Sequence, residues 1–334
     1  MRMGYTLNFD NGVYVEGGAA VVGKKEKAGK YGEYFENVVP DDLLGEKTHE
    51  KAERVIHTLV HKNLLANLSL KRSDVDIDIS GDLLDEITGS SFTMREMEYP
   101  YLGIFNACAA FGEGSIIAGS FVNGGLVHRA VTSVSSNFCT AERQFRNPLE
   151  LGCQRTPLSQ WTVTGAAAVS YVSHPTEVRL RRATIGRVVD YGVKDANNMG
   201  GAMAPAAMNT LISHFENTSS SPSDYDVIAT GDLGVAGRDI LKLIIKEKHY
   251  SLGYNYMDCG AEIYDLKRQK EVNQGGSGAA CSASIFATYF LKKMQKREIK
   301  KLLLVPTGAL ISKTSSLQKD SVPGIAHALE FEVI

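Results

Sequence analysis

The sequence predicts an α/β protein built from two copies of one unit. Three observations carry that prediction. Strands alternate with helices at βαβ spacing, one strand-and-turn signature occurs twice, and the segments downstream of each copy match in outline. Ser73-Asp-Val-Asp-Ile-Asp-Ile-Ser-Gly-Asp-Leu83 lines up with Ser223-Asp-Tyr-Asp-Val-Ile-Ala-Thr-Gly-Asp-Leu233. Cys108 to Ser136 parallels Cys281 to Gly308, each with a cysteine in a small-residue turn, an apolar helix and a short strand. The division implied is a first half over 1–190, opening on an irregular segment at 1–47, and a second half over 191–334. Units that cannot bury their faces alone are expected to pack half against half and leave a cleft between them.

Each element has a local reason. Residues 1–47 are glycine-rich, with a lysine turn and an aromatic run, and read as irregular with a few short strands. Thr48 is placed to cap a helix whose apolar positions (Ala52, Val55, Ile56, Leu59, Val60) recur on one face. His57 and His61 fall on the polar flank of that helix, where a solvated face is the expectation and a metal pair the alternative. The alternation in Asp74–Leu84 predicts a strand ending at Gly81-Asp82, and Tyr101–Phe105 a second that runs into Cys108 and a helix over Glu113–Asn123. Ala130–Val134 is a third, ending in Ser135-Ser136-Asn137, and Trp161–Val172 and Arg181–Val189 are expected to close the first half. The second copy ends on an amphipathic helix (Ile285, Phe286, Tyr289, Phe290, Met294) and a strand at Leu302–Val305.

Composition excludes several classes. The charge sum is 36 − 38 = −2 over 334 residues, so no bulk field favours nucleic acid. With 43% apolar and 22% charged residues the chain is ordinary for a globular protein. No run qualifies as a membrane span, and the opening Met1-Arg-Met-Gly lacks an apolar signal region, so synthesis in a reducing compartment is expected. Five cysteines without paired spacing then read as free thiols. No acidic string resembles a calcium loop, and no metal or cofactor is expected.

Cys108 is the sharpest candidate for chemistry. A thiol where a buried strand turns into a helix meets helix amides that favour a thiolate; the alternative is a small buried hydrophobe. Asp82 and Asp232 stand at equivalent strand ends, where each either lines a crevice or caps the next helix. The glycine strings Gly275–Gly278 and Gly200–Gly201 offer amides to an anion but fit neither a P-loop nor a dinucleotide fingerprint. Among the histidines, His327 in Pro323-Gly-Ile-Ala-His327 is placed like a site residue, and His214 is read as lacking chemical neighbours.

Together with Ser80-Gly-Asp-Leu-Leu84, Ala107-Cys108, Thr140-Ala-Glu-Arg-Gln-Phe-Arg146, Asn198-Met-Gly-Gly-Ala-Met-Ala-Pro205, Asp258-Cys-Gly260 and Thr307-Gly-Ala-Leu310, these residues resemble the thiolase and ketoacyl synthase superfamily. Within it the chain is similar to the stage V sporulation protein AD family over nearly its whole length. The resemblance implies a thiolase-like fold with a layered αβαβα core and a spore-formation protein that binds dipicolinate, free or as its calcium chelate. It further implies a peripheral place on the forespore or spore inner membrane, work with membrane partner proteins in dipicolinate uptake, and a possible homodimer paired through the strand ending at Ser135. Condensing superfamily members place a His where this chain has Thr230-Gly-Asp232, and a His or Asn near Gly275–Gly278. No proton acceptor is therefore expected within reach of Cys108, which makes the chain a non-catalytic binder; acyl transfer on Cys108 and a ligand-free scaffold are the alternatives. The ligand contacts implied are Cys108, Ser136, Asn137, Met199, Met203, Asp232 and His327, with Arg143 as the cation. Ala109, Phe111 and Asn137 depart from the family pattern and are expected at the pocket.

Overall fold

The computed structural model describes residues 2–145 and 155–334; Arg146, which closes one motif, and Cys153 lie outside them. The main sheet path has ten strands. In chain order these are β1 (Tyr14–Val22), β2 (Ile77–Gly81), β3 (Tyr101–Gly103), β4 (Arg129–Ser136) and β5 (Gly165–Val172). They are repeated as β6 (Val178–Thr184), β7 (Val227–Thr230), β8 (Tyr256–Asp258), β9 (Lys301–Val305) and β10 (Ala328–Val333). From the centre outward the first set runs β1-β5-β4-β2-β3 and the second β6-β10-β9-β7-β8, the same order. In both sets the two outer pairings are parallel and the two inner ones antiparallel. The sets join where β1 and β6 pair antiparallel over Val15–Val178 and Tyr14–Arg179.

By this pairing β6, expected to close the first half, opens the second, and the repeat changes over between Val172 and Val178 rather than after residue 190. The segment 1–47, expected to be irregular with a few short strands, holds the nine-residue β1, the innermost strand of the first set. Its Gly17-Gly18-Ala19-Ala20 core has weak strand propensity. Tertiary contact decides it, because a methyl on Gly18 would lie 3.0 Å from the Ala287 Cβ and one on Gly17 2.7 Å from Leu68. Only a bare backbone lets a helix come that close. The strand expected to end at Ser135 and to pair two copies edge to edge is β4, which runs to Ser136 and is bonded on both sides by β2 and β5.

Helices complete five layers. Thr48 caps α1 (His49–Leu68) by accepting from the Lys51 amide, as its position predicts. With α2 (Thr88–Met97) it covers the outside of the first sheet. In the middle lie α3 (Ala110–Asn123) and α7 (Ala279–Ile285, which continues through Gln295); α4 (Phe138–Phe145) lies beside β5's entry. The far face is covered by α5 (Met199–Thr218) and α6 (Gly234–Ile244). β5 shows how the layers use the pleat: Ala166 and Ala168 face α1, while Ala167, Val169 and Tyr171 face the central helices. Phe111, Phe286 and Phe331 are fully buried in that central core, each such ring contributing about 2–3 kcal/mol. No helix of the described residues is long and apolar enough to cross a membrane.

The flank of α1 bearing His57 and His61, expected in solvent, is buried against the sheet. Both imidazoles meet the Ser133 hydroxyl on β4, at 3.0 and 3.1 Å through Nε2, and that hydroxyl also contacts Asp78 at 3.0 Å and Ser80 at 2.9 Å on β2. Burial drives His57 down to about 3, lowers His61 and raises Asp78 well above the usual carboxyl range, so the cluster carries little charge. His214 likewise has neighbours: Thr184 at 2.7 Å, Tyr225 at 2.8 Å and Glu330 at 3.3 Å.

Candidate functional site

The chain leaves β3 through a tight turn before α3, closed by Ala109 N–H to Asn106 O at 3.0 Å and Ala110 N–H to Ala107 O at 3.2 Å. Ala107 takes a left-handed φ of +47°, a conformation costing a Cβ-bearing residue about 1–2 kcal/mol. The cost is met by neighbours that hold the turn. A methyl on Gly308 would lie 2.8 Å from Asn106 O, so the strand Thr307–Ala309 can press directly on it. His327 lies on the other side, with the Asn106 amide 2.8 Å from Nε2 and the Gly186 N–H donating to Nδ1 at 3.1 Å. Burial pushes His327 down to about 4, so the ring is neutral. Expected to contact a ligand, His327 is not among the residues that line the slot around Cys108, and its imidazole serves the turn beside that thiol.

Cys108, buried at the head of α3, meets the second half of the molecule at Asp232, whose carboxylate hydrogen-bonds the thiol. Oδ1 of Asp232 also accepts from the Thr307 hydroxyl at 2.7 Å and Oδ2 from the Gly278 amide at 3.0 Å. Desolvation raises the group to about 7 against the pull of these donors. The expectation of no proton acceptor near the thiol is therefore corrected: a carboxylate stands there. What frees it is Asp258 at the end of β8. Asp258 accepts the Leu233 and Gly234 amides, each at 2.9 Å, and so takes over the start of α6 that Asp232 was placed to cap. In the first half Asp82 keeps the capping role, accepting from Leu84 N–H at 2.8 Å and from Ser90 N–H at 2.6 Å in the first turn of α2. Equivalent aspartates thus have different work, settled by whether a third carboxylate is present.

Around Cys108 lies a slot lined by Leu83, Phe105, Ala107, Ala141, Phe145, Thr162, Ala196, Met199, Ser277, Ala309 and Ile311. It is apolar, with two hydroxyls and no charged side chain among the described lining residues. Of the expected contacts, the structure brings together Cys108, Met199 and Asp232. Met203, one turn along α5, is buried in the second outer core. Ser136 is internal scaffolding: its hydroxyl donates to Val163 O at 2.7 Å and accepts from Ala280 N–H at 3.3 Å. Asn137 begins α4, accepting from the Cys139 N–H at 2.9 Å. Arg143 points from another face of α4 into an outer cleft, paired with Glu50 at 3.1 Å. Neither Phe111 nor Ala109 lines the slot; both are fully buried in the α3 turn. The glycine strings serve close packing, with the Gly278 amide given to the Asp232 carboxylate: a methyl on Gly200 would lie 2.3 Å from Leu233 O, and one on Gly276 2.5 Å from Ile263.

Sequence reasoning missed Thr307, Asp258 and Gln160, whose Nε2 donates to both Asp232 O and Gly276 O at 2.7 Å. Thr307 and Asp258 stand in the motifs Thr307-Gly-Ala-Leu310 and Asp258-Cys-Gly260, yet their roles depend on β7, β8 and β9 lying side by side.

Two repeated sheets enclosing paired helices, with a thiol at the head of one helix facing the other half, define a thiolase-like protein. Solved structures agree. 3-Oxoacyl-[acyl-carrier-protein] synthase III from Aquifex aeolicus VF5 superposes with a TM-score of 0.61 at 11% identity, covering 96% of this chain and 100% of that one. Xanthomonas campestris OleA, as a cysteine-to-serine variant with bound lauric acid and lauroyl-CoA, gives 0.63 at 13% identity, covering 96% and 99%. At such identities the likeness is one of fold. The chain belongs to the Stage V sporulation protein AD family, whose sequence profile matches residues 4–332. The Stage V sporulation protein AD of Bacillus subtilis (strain 168) is 37% identical over 327 residues, 98% of this chain and 96% of the relative.

Proposed function

We propose that this chain is a non-catalytic receptor of spore formation, holding dipicolinate in the Cys108 slot for uptake into the forespore with membrane partner proteins. The observation that carries the reading is the carboxylate against the thiol. A nucleophilic cysteine is served by a neighbouring base that becomes cationic, whereas a carboxylate disfavours a second anion beside it. The apolar walls from Phe105, Phe145 and Met199 suit a flat ring, and Thr162 and Ser277 offer hydroxyls to its carboxylates. The family departures at Ala109, Phe111 and Asn137 lie off the slot, which supports ligand affinity surviving them. Titration calorimetry tests the reading. Saturable heat with dipicolinate, a rise in melting temperature with ligand concentration, and loss of both in Cys108→Leu are expected. No heat at millimolar ligand, with or without calcium, refutes it.

One observation favours a second reading, acyl transfer. A carboxylate poised at about 7 and bonded to a thiol is matched to accept its proton at neutral pH. Intact-mass measurement after incubation with acyl-CoA decides between them: an adduct on the wild type that Cys108→Ala lacks establishes the enzyme.

A further inference from the structure

Among its described lining residues the slot presents no positive charge to an anionic ligand, and behind its thiol stands a negative one. We propose that entry of free dipicolinate into the slot is coupled to uptake of one proton by Asp232, whereas the calcium chelate enters without it. The inference rests on the dipicolinate reading above and adds how that site manages charge.

The geometry around Asp232 leaves few alternatives. Cys108 faces it from the turn before α3, Asp258 and Cys259 from the end of β8 and the one-turn helix that follows, and Cys281 from α7. The remaining contacts, the Thr307 hydroxyl and the Gly278 amide, are neutral. None of these groups is a cation, so an anion arriving at Cys108 meets negative charge that no described neighbour compensates, in a dry setting where charge repulsion is strong. Two acids are available to take a proton. Burial lifts Asp258 to about 6, but it accepts four donors, from Thr230, Leu233, Gly234 and Ala261, which keep it charged at neutral pH. Asp232 is less well supplied, directly against the slot wall, and raised by burial to about 7, so it is the group that changes charge at neutral pH. Dipicolinate carries two negative charges there, and binding it shifts Asp232 to the neutral acid by simple linkage. One calcium per dipicolinate cancels the ligand's charge, and the drive for protonation disappears.

Calorimetry on the wild-type protein reads this directly. The heat of binding is measured at pH 8 in buffers of different ionisation enthalpy, and its dependence on that enthalpy counts protons. With Asp232 mostly ionised in the free protein at pH 8, uptake approaching one proton per free dipicolinate is expected there, and clearly less at pH 6. Apparent affinity should fall roughly tenfold per pH unit above 8. The calcium chelate should show no buffer dependence. In Asp232→Asn the pH slope should vanish; a residue acting only as scaffold would instead weaken binding equally at every pH and leave the slope. Buffer-independent heat for free dipicolinate at pH 8 overturns the inference while leaving the receptor reading intact. Absence of heat with either ligand form removes that reading, and the inference with it.

Discussion

Ser133→Ala is the sharpest test of how the first half is held together. The Ser133 hydroxyl has one hydrogen and two lone pairs, and it sits among His57, His61, Asp78 and Ser80 at 2.9–3.1 Å. Asp78 Oδ1 and Ser80 Oγ share the Ser133 hydroxyl as their donor, and its lone pairs face the two imidazoles. Both rings therefore donate through Nε2, and their Nδ1 atoms are buried without a partner. Removing the hydroxyl leaves His57 with Ser80 at 3.3 Å, but strips the hydrogen bond from Asp78 Oδ1 and leaves His61 only a long contact to Asp78 at 3.7 Å. Two buried polar groups orphaned at about 1–3 kcal/mol each give a loss of about 2–6 kcal/mol. Urea unfolding followed by far-UV circular dichroism should show this as a lower midpoint at unchanged slope. Adding His61→Phe to Ser133→Ala should cost less than the two separate losses combined, because the second change removes a donor the first left stranded. A loss below about 0.5 kcal/mol, the figure for an exposed surface position, would mean that this face of α1 is solvated and the buried network wrong.

Other outcomes are expected elsewhere. Gly278→Ala should lose about 1–3 kcal/mol and weaken dipicolinate binding, since φ is +108° there, the methyl would lie 2.7 Å from Ser136 Oγ, and the amide is a donor to Asp232; normal stability and affinity together would contradict this. Asp82→Ala should cost about 1–2 kcal/mol in urea unfolding through lost capping and leave dipicolinate titrations unchanged; lost binding would show that Asp82 shares the site. Acid should destabilise the protein through His57. Its folded value of about 3 lies below the ordinary 6.5, so its stabilisation is present above pH 6.5 and is lost as pH falls toward 3. By pH 4.5 that is about 3 kcal/mol, with His61 acting in the same direction. Urea midpoints at pH 7 and 4.5 should therefore differ less in His57→Gln than in the wild type, and an equal difference refutes the assignment.

Much of the architecture was legible in the chain because it is written in local repeats. The doubled Asp-x-Asp…Gly-Asp signature marks β2 and β7, which occupy equivalent places in the two sheets. Thr48 announces α1 and Cys108 the turn before α3, since capping and small-residue turns are decided within a few residues. β1 was not legible, because its glycines make a poor strand until a helix is laid against them. The polar flank of α1 misled for a related reason. Periodicity distinguishes apolar from polar faces, but a polar face opposite Asp78, Ser80 and Ser133 is as buriable as an apolar one.

Reading along the chain is enough to establish a duplicated α/β protein of the Stage V sporulation protein AD family with a thiol at a strand-to-helix turn. What that thiol faces is a product of folding. Asp82 and Asp232 are indistinguishable along the chain, each following Gly at the end of a repeated strand. The difference between them arises because β8 brings Asp258 to the start of α6, relieving Asp232 of capping and turning it toward Cys108. Such a division of labour depends on carboxylates far apart in sequence competing for the same amides, and only the folded sheet sets which of them is nearest.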